Sequence, residues 1–130
     1  MKVFHGRADG AVSEQRSGTG TGTVFGDPVM PTTDGVTINT VFFAPGARTF
    51  WHTHEHGQVL HVTAGKGWIC VAGGEPEVIR QGDIVWIPAG ERHWHGASAE
   101  SYLVHIAISI GKITWQEEVA EKDYPRAGAA

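Results

Sequence analysis

The stretch GARTFWHTHEHGQVLHVTAG, residues 46–65, carries four of the eight histidines of this 130-residue chain within ten positions. Successive side chains of an extended strand alternate between its two faces, so His52 and His54 are expected on the same face. Two imidazoles side by side can share one metal ion. Gln58 follows a glycine, and Gly65 ends the segment, which gives the spacing Gly-x5-His-x-His-x3-Gln-x6-Gly. The stretch therefore predicts a hairpin that carries metal ligands.

A second spaced pattern lies downstream. Gly82, Pro88, Gly90 and His93 follow the spacing Gly-x5-Pro-x-Gly-x2-His. Proline and glycine placed in this way indicate a turn between two strands. The second of these strands supplies a further imidazole, so the two patterns together predict one site built from two hairpins.

From residue 36 onward the chain consists of short runs rich in β-branched and aromatic residues, bounded by turn-forming residues. Examples are VTINTVFF (36–43), QVLHVTA (58–64), IVWIPAGE (84–91) and YLVHIAISI (102–110). Short strands separated by frequent turns are typical of an all-β sandwich or barrel. We therefore predict one barrel over residues 34–111.

The segments on either side of this barrel are predicted to belong to the same single domain. Residues 1–33 are rich in glycine and threonine and read as an N-terminal arm, in which Thr23–Phe25 could form an edge strand. In residues 112–130, Thr114 followed by Glu117 is a possible capping box, which predicts one short C-terminal helix. The last residues, PRAGAA, are expected to fray.

Composition excludes several classes of function. The net charge is −4 and the ten basic residues are scattered, so no stripe fits a nucleic-acid backbone. No apolar run is long enough to span a membrane, and the first residues lack the apolar core of a signal peptide. We expect a cytoplasmic protein with no membrane partner. The single cysteine, Cys70, is expected to be buried and inert.

The two spacings resemble the paired motifs of the cupin superfamily, over about residues 36–110. This resemblance implies a double-stranded β-helix, a jelly-roll-like barrel, with one divalent metal ion held by His52, His54, Gln58 and His93. Most metal-binding cupins have glutamate where this chain has Gln58. An amide leaves all ligands neutral, so the ion would keep its full charge and act as a stronger Lewis acid. Alternatively, Gln58 only orients a neighbouring histidine.

Strand parity divides the remaining histidines. His95 lies two residues after His93, so both are expected to point into the barrel. His105 shares its strand face with Leu103, Ala107 and Ser109, and this face is expected to line the cavity. Either His95 or His105 could instead be a structural histidine of the core. His61 is out of phase with Gln58 and should point outward. Trp51 and Trp94 alternate with the predicted ligands and are expected to pack outside the barrel.

The runs PGARTFWHTHEHGQ, VTAGKGW, GDIVWIPAGERHWHGA and HIAI are similar to those of small bacterial manganese-dependent hydroxynitrile lyases. That family cleaves and forms aromatic cyanohydrins, such as mandelonitrile from benzaldehyde and HCN. The resemblance implies manganese as the metal, with Fe, Ni, Co or Zn as alternatives. It also implies that His105, or failing that His95, is the catalytic acid and base.

Two other functions stay open at this point, namely an iron-dependent cupin dioxygenase and a non-catalytic cupin that binds a metal or small molecule. The pocket positions expected to differ among such relatives are polar or small here and do not select one substrate; they are Asn39, Val41, His56 and Ser109. The strand at residues 102–110 is apolar on both faces, which predicts that one face meets a partner subunit in a homodimer or homotetramer.

Overall fold

The computed structural model describes residues 1–129, which form twelve strands joined by antiparallel pairings. The strands are β1 (Glu14–Gln15), β2 (Gly20–Thr21), β3 (Val24–Thr33), β4 (Val36–Phe43), β5 (Arg48–Thr49), β6 (His52–His54), β7 (Gln58–Val71), β8 (Glu77–Arg80), β9 (Ile84–Ile87), β10 (His93–Ala97), β11 (Leu103–Ile110) and β12 (Ile113–Trp115). A 3₁₀ turn spans Glu121–Asp123. The predicted all-β barrel is confirmed. Within residues 1–129, no helix is long and apolar enough to cross a membrane.

The long strand β7 joins the two sheets of the barrel. Its first half pairs with β11 and β9, and its second half pairs with β10 and β8. Two glycines allow this passage. A Cβ on Gly65 would lie 1.9 Å from the Tyr102 carbonyl oxygen, and one on Gly67 would lie 2.1 Å from that of Gly96. Gly65 also has a φ of +79°, which other residues rarely adopt. The glycine that ends the first motif is therefore required for closure.

Apolar side chains fill the space between the sheets. Their buried members include Val24, Phe43, Leu60, Val62 and Leu103. A second group, which we call the outer aromatic cluster, packs outside the barrel and consists of Trp68, Cys70, Trp94, Val119 and Tyr124.

The outer positions of Trp51 and Trp94 are confirmed. Trp94 belongs to the outer aromatic cluster and is 1% exposed, and Trp51 packs edge-on against it with ring centroids 6.4 Å apart. Cys70 is buried in the same cluster, and burial raises the pKa of its thiol. A thiol kept protonated is a poor nucleophile, in agreement with an inert role.

The predicted C-terminal helix is wrong. Thr114 lies in β12, which pairs with β6 so that Trp115 is opposite His52. Two backbone hydrogen bonds extend this contact. The Gln116 N–H donates to the Trp51 carbonyl at 2.8 Å, and the Trp51 N–H donates to the Glu117 carbonyl at 2.9 Å. Pairing with the otherwise open edge of β6 satisfies more backbone groups than one capping box could, so tertiary contact overrides the local pattern.

The N-terminal arm contains a longer strand than expected. Thr23–Phe25 was predicted as an edge strand, whereas β3 continues to Thr33 and pairs with β4. The two-residue strand β1 pairs with β3 on its other side. The arm thus lies along the barrel, and its return brings residues 16–24 close to the cavity described below. The division at residues 33/34 and 111/112 stays a prediction.

Candidate metal centre and adjoining cavity

Three predicted ligand histidines come together from two strands. His52 and His54 extend from β6, and His93 begins β10 directly opposite His52. The ring centroid of His52 lies 4.2 Å from that of His93 and 5.1 Å from that of His54, and the His54–His93 distance is 5.5 Å. All three side chains are at most 1% exposed. The alternation inferred from the sequence therefore produces a compact, water-excluded group of imidazoles.

Two of these rings are oriented in the same way by the backbone. His52 Nδ1 lies 2.8 Å from the Phe50 carbonyl oxygen, and His93 Nδ1 lies 2.9 Å from the Glu91 carbonyl oxygen. A carbonyl only accepts hydrogen bonds, so each Nδ1 carries the proton and donates. Each Nε2 is then the nitrogen with the free lone pair, and that of His93 is buried without a partner. This is the arrangement typical of metal-binding histidines.

His54 and Gln58 complete the group with unsatisfied atoms. Both ring nitrogens of His54 and the Oε1 of Gln58 are buried without a hydrogen-bond partner. The Gln58 amide nitrogen donates to the Ser109 hydroxyl at 3.0 Å, so the amide oxygen is the atom left free. A buried unsatisfied polar group costs about 1–3 kcal/mol. Three neutral imidazoles and one amide oxygen fit a divalent ion of the first transition row, which would take the Gln58 oxygen and the lone pair of one His54 nitrogen.

His95 and His105 form a second, adjoining pair. His105 Nε2 lies 3.0 Å from His95 Nδ1, and the two side chains are 0% and 3% exposed, respectively. Both rings pack against Phe43. The ring nitrogens of His52, His93 and His95 also lie within 4.8 Å of one another, a trio that could itself hold a metal. His95 is therefore an alternative metal ligand, a role that its sequence position did not indicate.

The five histidines are neutral at pH 7. Burial lowers the pKa of His54 and of His105 to about 4, and that of His93 below its usual value. Burial also lowers the pKa of His52 and His95 well below the usual value, and a neighbouring imidazole adds to the effect, His93 for His52 and His105 for His95. A neutral imidazole keeps the lone pair that a metal ligand or a general base needs.

A cavity of about 290 Å³ adjoins these groups. Its wall includes His52, Gln58, His95 and His105, and the expected positions Asn39, Val41 and Ser109. His56 does not line it, since its side chain is 64% exposed at the surface. His61 is exposed, as the parity argument predicted.

Several residues of the cavity wall have no signal in the sequence. Arg16 and Thr19 come from the arm, and Trp115 comes from β12, with its ring centroid 4.6 Å from that of His52. No periodicity could have found them, because each reaches the cavity through pairing between strands distant in sequence.

Comparison with known proteins shows the family of this chain and agrees with its fold. Residues 39–109 match the Cupin domain family. The (R)-mandelonitrile lyase of Granulicella tundricola is 45% identical over 126 residues, which cover 88% of this chain and 96% of that protein. A cupin-like protein from Thermotoga maritima is 36% identical, covers 88% of this chain and 94% of its own, and superposes with a TM-score of 0.84. The polyketide cyclase RemF from Streptomyces resistomycificus shares the fold at 20% identity, with a TM-score of 0.74 over 95% of this chain and 89% of its own.

Proposed function

This chain belongs to the cupin family, and from that premise we propose that it is a metal-dependent lyase that cleaves and forms aromatic cyanohydrins. Mandelonitrile, which gives benzaldehyde and HCN, is the proposed representative substrate. The observation that carries the proposal is the neutral His95–His105 pair beside the candidate metal centre. The 45% identity to a mandelonitrile lyase supports the same reaction.

In this proposal His52, His54, Gln58 and His93 hold one manganese ion. When bound, such an ion polarises a substrate oxygen as a Lewis acid. The unsatisfied nitrogens of His54 and the free Oε1 of Gln58 support this ligand set. Iron, nickel, cobalt or zinc would find the same donors, so the choice of metal rests on the resemblance.

The hydrogen bond between His95 and His105 makes the roles of the two rings depend on each other. A neutral imidazole carries one N–H, and this pair shares a single hydrogen bond between His105 Nε2 and His95 Nδ1. If His105 donates, its buried Nδ1 has the free lone pair and His95 Nε2 carries a proton. If His95 donates, the two assignments are reversed. His95 therefore cannot be a metal ligand while a neutral His105 is the base, which favours His54 as the third histidine ligand.

The proposed chemistry needs one proton transfer in each direction. His105 Nδ1 takes the hydroxyl proton of the cyanohydrin, and the bond between the carbinol carbon and the nitrile carbon breaks. The electron pair leaves with cyanide, which receives the proton from His105 to give HCN, while the aldehyde remains. His95 stabilises protonated His105 by accepting from its Nε2–H. General acid–base catalysis of this kind contributes roughly 10²- to 10⁴-fold.

An anaerobic assay tests the proposal against the alternative of an oxygen-dependent cupin. Protein stripped with EDTA and reloaded with Mn²⁺ is mixed with racemic mandelonitrile at mildly acidic pH, and benzaldehyde release is measured without oxygen. We expect release by the loaded protein and only background release by the stripped protein. Absence of release by the loaded wild-type protein would reject the lyase.

We also propose that the protein works in the cytoplasm as a homodimer or homotetramer. The outer face of the sheet formed by β4, β11, β7 and β9 supports self-association, since Phe42, Ile84, Trp86 and Tyr102 are 37–63% exposed there. Covering such a face removes apolar area from water. A solution mass near 14.0 kDa by light scattering would contradict the assembly.

A further inference from the structure

Arg16 brings a permanent positive charge to the wall of the cavity. Its backbone N–H donates to the Val24 carbonyl at 2.7 Å, which anchors the arm where β1 ends. Its side chain is half-buried and lines the cavity together with the histidines. Among the residues that the structure describes, no carboxylate lines this cavity. The wall therefore has one fixed cation and no opposite charge.

Gly26 leaves the space that the Arg16 guanidinium occupies. A Cβ on this buried glycine would lie 2.3 Å from Arg16 Nη2 and 2.4 Å from Nε. Gly26 does not have a positive φ, so its backbone conformation does not require glycine. The requirement is space. The chain thus has a glycine in β3 that allows the guanidinium to lie directly on the strand.

The guanidinium of Arg16 is free to bind a ligand. Arg7, Arg48 and Arg92 each form an ion pair with a carboxylate. Arg16 forms none with any carboxylate in residues 1–129, and its side chain makes no hydrogen bond there either. A guanidinium that is held against Gly26 of the neighbouring strand β3 and still has its donors available is organised for an anion.

We propose that Arg16 forms an anion-binding subsite of the cavity, which takes a small monovalent anion. The apolar part of the wall, including Val41, Ala107, Ile113 and Trp115, would hold an aryl or alkyl body attached to that anion. The substrates and products of the proposed lyase reaction are neutral, so a carboxylate ligand goes beyond that reaction, whereas cyanide is its leaving group and would rest on the proposed function. The anion has two possible sources, a carboxylate on a bound organic molecule or the cyanide ion.

Binding of sodium benzoate to metal-free protein tests the subsite without any assay of activity. Calorimetry compares wild type with Arg16→Gln, Arg16→Lys and the control Arg7→Gln, which removes an arginine of the same arm that lies outside the cavity wall. We expect Arg16→Gln to weaken benzoate binding by at least about ten-fold, and Arg16→Lys to weaken it less, because lysine keeps the charge without the bidentate fork. Arg7→Gln should bind as wild type does. Benzyl alcohol, a neutral analogue, should bind equally to all four.

A second variant moves the charge instead of removing it. Gly26→Ala should displace the guanidinium, which is the mobile end of a long side chain, and leave the fold intact by circular dichroism. We expect weaker benzoate binding in Gly26→Ala and no additional loss when it is combined with Arg16→Gln. Equal benzoate affinity in wild type and Arg16→Gln, or no benzoate binding to metal-free wild type, would overturn the subsite. Neither result depends on whether the metal-loaded protein cleaves mandelonitrile.

Competition with potassium cyanide at alkaline pH identifies the source of the anion. If cyanide displaces benzoate from metal-free wild type but has no effect on the residual binding of Arg16→Gln, the subsite accepts the cyanide ion. If benzoate binds through Arg16 and cyanide does not displace it, the subsite is selective for carboxylates. Both outcomes support an anion site at Arg16.

Discussion

The outer aromatic cluster and the candidate metal centre are both buried, yet they differ in how many of their buried polar atoms have a hydrogen-bond partner. In the outer cluster, the Tyr124 hydroxyl donates to the Ala97 carbonyl at 2.5 Å. Arg48 lies over the Tyr124 ring and donates to the Glu121 carboxylate at 2.8 Å. In and beside the metal centre, by contrast, six buried nitrogen and oxygen atoms have no hydrogen-bond partner within residues 1–129, and they belong to His54, Gln58, His93, His95 and His105.

This difference shows where the fold gives up stability for a ligand. Buried polar groups in proteins are nearly always hydrogen-bonded, and each exception costs free energy. The five residues of the outer cluster follow this rule, and the one exception beside them is Arg48 Nε, which is buried without a partner. The metal centre departs from this rule with atoms that are all capable of binding a metal or a proton, so its stability should depend on what binds there.

The largest expected effect is loss of the metal. His52→Ala removes the imidazole that lies nearest to its neighbours, so the remaining donors no longer enclose an ion. We expect no stoichiometric metal in this variant by elemental analysis. His61→Ala, which removes an exposed histidine from the first half of β7, should retain full metal and serves as the control. Full metal occupancy in His52→Ala would show that the metal centre does not need this imidazole, and would remove its contrast with the outer aromatic cluster.

A second comparison separates the two possible ligand trios. His54→Ala should lose metal, whereas His95→Ala should retain it with at most about a 10- to 100-fold weaker affinity, as expected for a residue outside the ligand set. Calorimetric titration of Mn²⁺ measures both. Retention by His54→Ala with loss by His95→Ala would assign the metal to His52, His93 and His95.

His105→Ala should separate metal binding from catalysis. The variant is expected to keep metal and circular dichroism of wild type, because neither sequence motif requires this ring as a ligand. Benzaldehyde release should fall by roughly 10²- to 10⁴-fold, as expected for loss of a general base. Full metal with undiminished release would make His105 a structural core histidine.

Acid should destabilise the metal-free protein. The pKa of His54 and of His105 falls from 6.5 to about 4 on folding, so below pH 6.5 the unfolded chain binds more protons. Stability is therefore full above pH 6.5 and decreases as the pH falls towards about 4, by up to about 3 kcal/mol for each such group. Urea unfolding at several pH values measures it, and bound metal should reduce the loss. A flat profile would show that these imidazoles are not buried in the neutral form.

The smallest expected effect is that of Gln58→Glu. The carboxylate should retain the metal but offset part of its charge, so that benzaldehyde release falls by about ten-fold. Ser109→Ala, which frees the amide nitrogen of Gln58, should weaken Mn²⁺ binding without adding charge. Unchanged turnover in Gln58→Glu would argue against polarisation of the substrate oxygen by the metal.

The parts of the fold and of the site that could be predicted from the sequence are those that depend on contacts between residues close together in the chain. His52 and His54 could be placed because strand alternation is local, and His93 because its glycines and proline define a turn. The capping box at Thr114 misled, because pairing with β6 is a long-range contact that local patterns do not contain. The hydrogen bond from Gln58 to Ser109, which lies 51 residues away, is such a long-range contact as well. So is the return of the arm that brings Arg16 to the cavity.

Titration of Mn²⁺ into EDTA-treated wild-type protein tests the central claim most directly, namely that the unsatisfied atoms of the metal centre exist to bind one ion. Calorimetry gives the stoichiometry, and electron spin echo modulation detects nitrogen nuclei next to the bound manganese. The account predicts one ion per chain, modulation from imidazole nitrogen, and a higher thermal midpoint on loading. Absence of saturable binding, or bound manganese without coupling to imidazole nitrogen, would contradict it.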